Sequence, residues 1–155
     1  MKPRLYLDTS VFGGLYDHEF EKETKQLFDM VERGEIICLY SELTIVELEN
    51  APDRVKVFFK KMVDEYAERI ELTDDCKQLA LQYIAEKVVG KTSLDDCLHI
   101  ATATIRKADI LVSWNFKHIV NVFRIRGYNS IKLREGHQQL DIRSPREIIG
   151  HEDNE

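Results

Sequence analysis

Short apolar runs alternate along this chain with longer amphipathic stretches, and few folds accept that alternation. "RLYLD", "EIICLYS", "RIELT", "DILVSWN" and "NSIKLR" read as strands bounded by turn or cap residues. Between them, "FEKETKQLFDMVERG" sets Phe20, Leu27, Phe28 and Val31 on one helical face before Gly34 stops it. "ELTIVELEN" runs from a Ser41 cap toward Pro52 and holds Glu47. "DRVKVFFKKMVDEYAERI" repeats apolar residues at Val55, Phe59, Met62 and Tyr66, while "DDCKQLALQYIAEKVVG" turns Leu79, Tyr83 and Ile84 inward ahead of Gly90. "KTSLDDCLHIATATIRKA" offers Thr92 and Ser93 as caps and Leu94, Leu98, Ala101 and Ile105 as a buried stripe. Gly13-Gly14 marks a loop after the first strand, "FKHIVNVFRIRG" predicts a short helix, and Ser144, Pro145 and Glu147 have the spacing of a capping box. Strands separated by such helices predict an α/β fold, with a mostly parallel sheet covered by helices on both faces.

At 155 residues the chain suits one domain of this kind, so residues 1–155 are expected to form a single unit. An excess of 28 acidic over 22 basic residues gives a formal charge of -6, which excludes a general attraction to phosphate backbones. Any nucleic-acid contact must then be local. Cys38, Cys76 and Cys97 are odd in number and set among apolar residues, as buried thiols of a reducing compartment are. With no signal-peptide core and no run long enough to span a membrane, the protein is expected in the cytoplasm.

The apolar run Leu5-Tyr6-Leu7 ends on Asp8, and a carboxylate at the end of a buried strand demands a partner. In open parallel sheets the ligand crevice lies beyond the carboxyl ends of the strands. Asp8, Asp96 at the start of its helix, and Asn115 after "ILVS" can face one edge, and Glu47 can return to it. Carboxylates repel by about 4 kcal/mol per pair at about 4 Å and an effective dielectric of about 20. No Lys or Arg flanks Asp8 or Asp96 in the buried pattern, and an all-oxygen cluster suits Mg²⁺ or Mn²⁺.

Each residue also has a plainer reading. Asp95 and Asp96 complement a helix dipole, and Glu47 closes a "TIVE" capping box from Thr44. His99 is either a satisfied core histidine or a cleft residue, Trp114 packs or stacks on a base, and Lys56, Lys60 and Lys61 form a solvated face. Only Asp8 has no capping duty on this reading.

Taken in order, "LYLDTSVF", "SELTIVELEN", "DDCLHIATA" and "ADILVSWNFKHI" resemble the PIN domain family, the nuclease fold of many toxin-antitoxin ribonucleases, over nearly the whole chain. The resemblance implies a parallel sheet of about five strands whose acids gather around Mg²⁺ or Mn²⁺ and support hydrolysis of RNA. It places the metal ligands at Asp8, Glu47 and Asp96, with Asp95 the alternative third acid, Ser113 and Asn115 positioning solvent, and Thr9 and Ser10 adding hydroxyls. It also implies a homodimer and an antitoxin protein partner. The family often carries Asp where this chain has Asn115, which contributes no charge and puts a second metal ion in doubt. That departure keeps a second reading open, a PIN-like scaffold that binds RNA or protein with little or no turnover.

Overall fold

The computed structural model describes residues 1–87 and 94–150. Its sheet has five strands, β1 (Arg4–Leu7), β2 (Ile37–Tyr40), β3 (Glu68–Arg69), β4 (Ile110–Val112) and β5 (Asp141–Arg143), ordered β3-β2-β1-β4-β5 and all parallel. The helices are α1 (Thr9–Gly14), α2 (Glu21–Glu32), α3 (Glu42–Glu47) with a 3₁₀ turn at Leu48–Asn50, α4 (Asp53–Glu65), α5 (Asp74–Ala85), α6 (Leu94–Ile105), α7 (Val122–Arg134) and α8 (Pro145–Ile149). From β1 the chain builds outward through β2 and β3, then returns to lay β4 against the other side of β1. The order therefore reverses between β1 and β4, where a parallel sheet opens a crevice.

Strand alternation divides the core into two layers. Leu5 and Leu7, with Cys38, Tyr40 and Val112 from their neighbours, pack against α1, α2, α4 and α8. Tyr6, Leu39 and Leu111 face the opposite layer, formed by α5, α6 and α7. Period two puts Asp8 on the side of Tyr6, toward α6. All three cysteines are buried and free, and among the described residues no helix is long and apolar enough to cross a membrane.

Several local expectations are corrected. Gly13 and Gly14 belong to α1 rather than a loop. Gly14 lets that helix approach α2 and the segment after β4, since a Cβ there would meet Thr24 Oγ1 at 2.7 Å and Trp114 Nε1 at 2.8 Å. "NSIKLR" is not a strand but the second half of α7. Asn121 caps α7 through bonds from the Phe123 and Arg124 amides, and Tyr128, Ile131 and Lys132 are buried at helical spacing, whereas Leu133 is 69% exposed. The fifth strand is instead "DIR", which buries Ile142 alone and is too short for its alternation to stand out. β3 falls at Glu68–Arg69, with Ile70 buried just after it. Ile84 and Leu94 are exposed, because α5 buries Cys76, Leu79, Ala80 and Tyr83, and α6 buries Cys97 and the run from His99 to Thr104. Gly90, Thr92 and Ser93 lie outside the described residues.

Candidate active site

Asp8 leaves β1 directly into α1, and its carboxylate caps that helix: Oδ1 accepts from the Ser10 amide at 3.1 Å and the Ser10 hydroxyl at 2.5 Å. Asp8 therefore does have a capping duty, which the expectation of a loop at Gly13-Gly14 hides. From β4, Ser113 Oγ donates to Asp8 Oδ2 at 2.6 Å. The proton of each serine is directed by what the oxygen accepts, the Trp114 amide at Ser10 Oγ (3.0 Å) and the Asn115 amide at Ser113 Oγ (2.9 Å). Asp8 is 4% exposed and all its bonded partners are neutral. Burial pushes its carboxyl above the usual range; the His99 imidazole, when charged, and the two serines pull it back, and Asp96 raises it further.

Asp96, half-buried in the first turn of α6, lies 3.4 Å from Asn115 Nδ2, while Asn115 Oδ1 accepts from the His118 amide at 3.0 Å. Asp95 beside it is exposed. Trp114 packs: its ring stacks on Phe20 with centroids 4.1 Å apart and Nε1 donates to Thr24 Oγ1. Lys56, Lys60 and Lys61 are exposed on α4, and Lys61 pairs with Glu32.

Glu47 ends α3. The capping box of that helix is formed by Ser41 and Thr44, so Glu47 is not one of its members, and a carboxylate at a helix C-terminus gains nothing from the dipole. It is held by side chains from elsewhere. Thr9, next to Asp8 in the chain, donates to Oε1 at 2.8 Å, and His99 Nε2 bonds the same oxygen. Burial acts to raise Glu47, but the His99 bond and charge and the Thr9 hydroxyl outweigh it and leave the group below the ordinary carboxylate range. His99, 2% exposed, places Nδ1 at 2.6 Å from the Tyr6 hydroxyl, which is 2.8 Å from Ser41 Oγ.

The crevice at the β1–β4 switch thus holds Asp8, Ser10, Ser113, Asn115 and Asp96 in one hydrogen-bonded group, and Thr9 and His99 attach Glu47 to its flank. Among the described residues, no three of His, Cys, Asp and Glu are grouped closely enough to hold a metal ion. Sequence reasoning missed Tyr6 and the sheet-side role of Ser41. The signal was present: Tyr6 shares the Asp8 face of β1, and His99 is one turn from Asp96 on the helix covering that face.

A PIN domain family model matches residues 4–117. The chain belongs to the PIN domain family. No curated protein matches it in sequence. Its fold is shared with three solved structures, each of low identity to it. VapBC from Salmonella typhimurium, bound to DNA, aligns with TM-score 0.58 and 16% identity over 92% of this chain and 98% of that one. VapBC2 from Rickettsia felis, bound to a promoter fragment, gives 0.58 and 13% over 91% and 98%. VapC20 from Mycobacterium tuberculosis, described as a sarcin-ricin loop cleaving toxin, gives 0.56 and 13% over 69% and 86%. The PIN domain assignment thus joins β1, α3, α6 and β4, the elements that carry Asp8, Glu47, Asp96 and Ser113, into one family unit.

Proposed function

We propose that this PIN domain is a metal-dependent endoribonuclease, the toxin of a toxin-antitoxin pair, with Asp8 and Asp96 as ligands of one Mg²⁺ or Mn²⁺ ion. The observation that carries this reading is Asp8, buried at the strand switch, raised by burial and by Asp96, and bonded only to neutral donors. Two carboxylates and otherwise oxygen donors fit a hard divalent cation, which needs few protein ligands because it keeps several waters. When bound, such an ion lowers the pKa of a water and offsets charge on the phosphate.

The chain's own residues supply the rest. Ser10 and Ser113 fix the Asp8 carboxylate so that it does not rotate during a turnover. Asn115 orients Asp96 through its amide. Glu47, ionised and 27% exposed, accepts a proton or a hydrogen bond from the attacking water. RNA as substrate class is supported by the family and by the cleaving activity named for the Mycobacterium tuberculosis toxin, and an antitoxin partner by the VapBC complexes. A homodimer in the cytoplasm and a single domain over residues 1–155 complete the proposal.

Incubation of short unpaired RNAs with purified protein and Mn²⁺ tests it. Cleavage is expected for wild type and lost in Asp8→Asn and Asp96→Asn; equal activity in all three exposes a contaminant and ends the enzyme reading. One observation favours a second reading, a PIN scaffold with little turnover: Asn115 spends both ends of its amide on the His118 turn and Asp96 and adds no charge. RNA retention on a filter without cleavage, unchanged by Mn²⁺, would select it.

A further inference from the structure

A buried polar chain runs from Ser41 through Tyr6 and His99 to Glu47. Tyr6 lies in the central strand at 0% exposure, where a phenylalanine would fill the same space without a polar atom to satisfy. Burying a phenol, an imidazole and a hydroxyl together is tolerated only because each finds a partner. The chain ends on Glu47, the carboxylate at the flank of the crevice.

The direction of the bonds follows from the acceptor. Glu47 Oε1 already receives the Thr9 hydroxyl, and an ionised carboxylate only accepts, so the imidazole nitrogen facing it carries a proton. Tyr6 serves the other ring nitrogen in either state. Its hydroxyl donates to Nδ1 of a neutral ring or accepts from Nδ1–H of a charged one, with Ser41 Oγ reversing its own role to match. The one form that this arrangement disfavours is a ring with Nε2 bare. With Nε2 protonated, Oε1 is saturated by two donors, while no described residue hydrogen-bonds Oε2.

We propose that His99, oriented by Tyr6, is a positioning residue that fixes Glu47 with Oε1 saturated and Oε2 open toward a water of the hydrated cation. The proposal deepens the nuclease reading, on which it rests for the identity of that water. Removing an outer-shell partner of this kind typically weakens metal binding or activity about 10- to 100-fold. His99→Leu is therefore expected to weaken Mn²⁺ binding about tenfold and to lower kcat more than it raises KM for RNA. His99→Gln, whose amide can donate to Glu47 and accept from Tyr6, should restore both toward wild type, and Tyr6→Phe should fall between.

Ring ¹⁵N spectra of the metal-free protein provide an arm independent of activity. A protonated Nε2 is expected in wild type and also in Tyr6→Phe, because Glu47 accepts that proton in both; the phenylalanine keeps the size of the side chain should His99→Leu fail to fold. A bare Nε2 in wild type, or Mn²⁺ affinity and kcat equal to wild type in both Tyr6→Phe and His99→Gln together with a folded His99→Leu, overturns the proposal. Wild type that neither binds Mn²⁺ nor cleaves RNA, yet shows the protonated Nε2, sinks the nuclease reading and with it the cation role of Oε2.

Discussion

Two carboxylates of the crevice, Asp8 and Glu47, are held by opposite means. Asp8, almost wholly buried at the end of β1, meets an amide and two hydroxyls, and its carboxyl is raised. Glu47, more exposed at the end of α3, meets an imidazole and a threonine, and is lowered. Neutral donors orient a buried charge but offset its desolvation only in part, whereas a histidine can share the charge itself. The Glu47 half already has, in His99, a donor within the protein that can carry positive charge. The Asp8 half lacks one, and an added cation therefore gains most there.

The largest expected consequence is catalytic. Asp8→Asn should lower the rate of RNA cleavage in Mn²⁺ about 1,000-fold, the scale for losing a preorganised charge at the reacting centre, and Glu47→Gln about tenfold, the scale for a group acting one shell out. Equal losses in single-turnover rates would erase the distinction between the halves. Next in size is metal stabilisation. Mn²⁺ at about 100 times its Kd should stabilise wild type by about 2.7 kcal/mol, roughly 5–11 °C in Tm for a chain of this length. By calorimetry that gain should vanish in Asp8→Asn and persist in part in Glu47→Gln. Without metal the signs should split. Glu47→Ala leaves the His99 donor buried without an acceptor and should cost about 1–3 kcal/mol. Asp8→Asn keeps the helix cap, removes the under-compensated charge, and should raise Tm by about 2–4 °C, equivalent to about 1 kcal/mol.

Where the sequence was legible, one element carried its own signal. The "RLYL", "ICLY" and "ILV" cores of β1, β2 and β4 are dense in apolar residues because helices cover both faces, and α2 and α4 keep a clear stripe. Edge strands gave no such pattern: β3 exposes both its residues and β5 buries only Ile142, so packing by neighbours fixes them. The alternation of Ile131 and Leu133 mimicked a strand inside α7 because two residues cannot separate period two from a helical pair. In the site, Asp8, Asp96 and Ser113 could be placed from strand ends and one helix start. The cap made by Asp8 depended on recognising α1 as a helix. The Tyr6–His99–Glu47 bonds depended on three elements whose separation in the chain, 93 residues between Tyr6 and His99, hides the contact.

The finest test of the comparison is the pH dependence of stability in metal-free protein. A carboxyl raised on folding contributes stability that is complete below its unfolded value, 3.8 for Asp8, and is lost as pH climbs through the raised value. A lowered carboxyl does the reverse: the Glu47 contribution is complete above 4.5 and is lost as pH falls through its lowered value. The two windows therefore lie on opposite sides of the ordinary carboxylate range. Between about pH 5 and 8, Glu47 should be silent and only Asp8 should speak. Taking Tm differences from wild type cancels the remaining titrating groups, so the advantage of Asp8→Asn should widen from acid toward neutral pH, at no more than about 1.4 kcal/mol per pH unit. The Glu47→Gln curve should run parallel to wild type over the same span. Should the Asp8→Asn difference stay flat from pH 4 upward, Asp8 is adequately compensated by Ser10 and Ser113, and the two halves of the crevice are electrostatically alike. Saturating Mn²⁺ should remove the Asp8 contribution to the wild-type slope, because a cation beside Asp8 favours its ionised form.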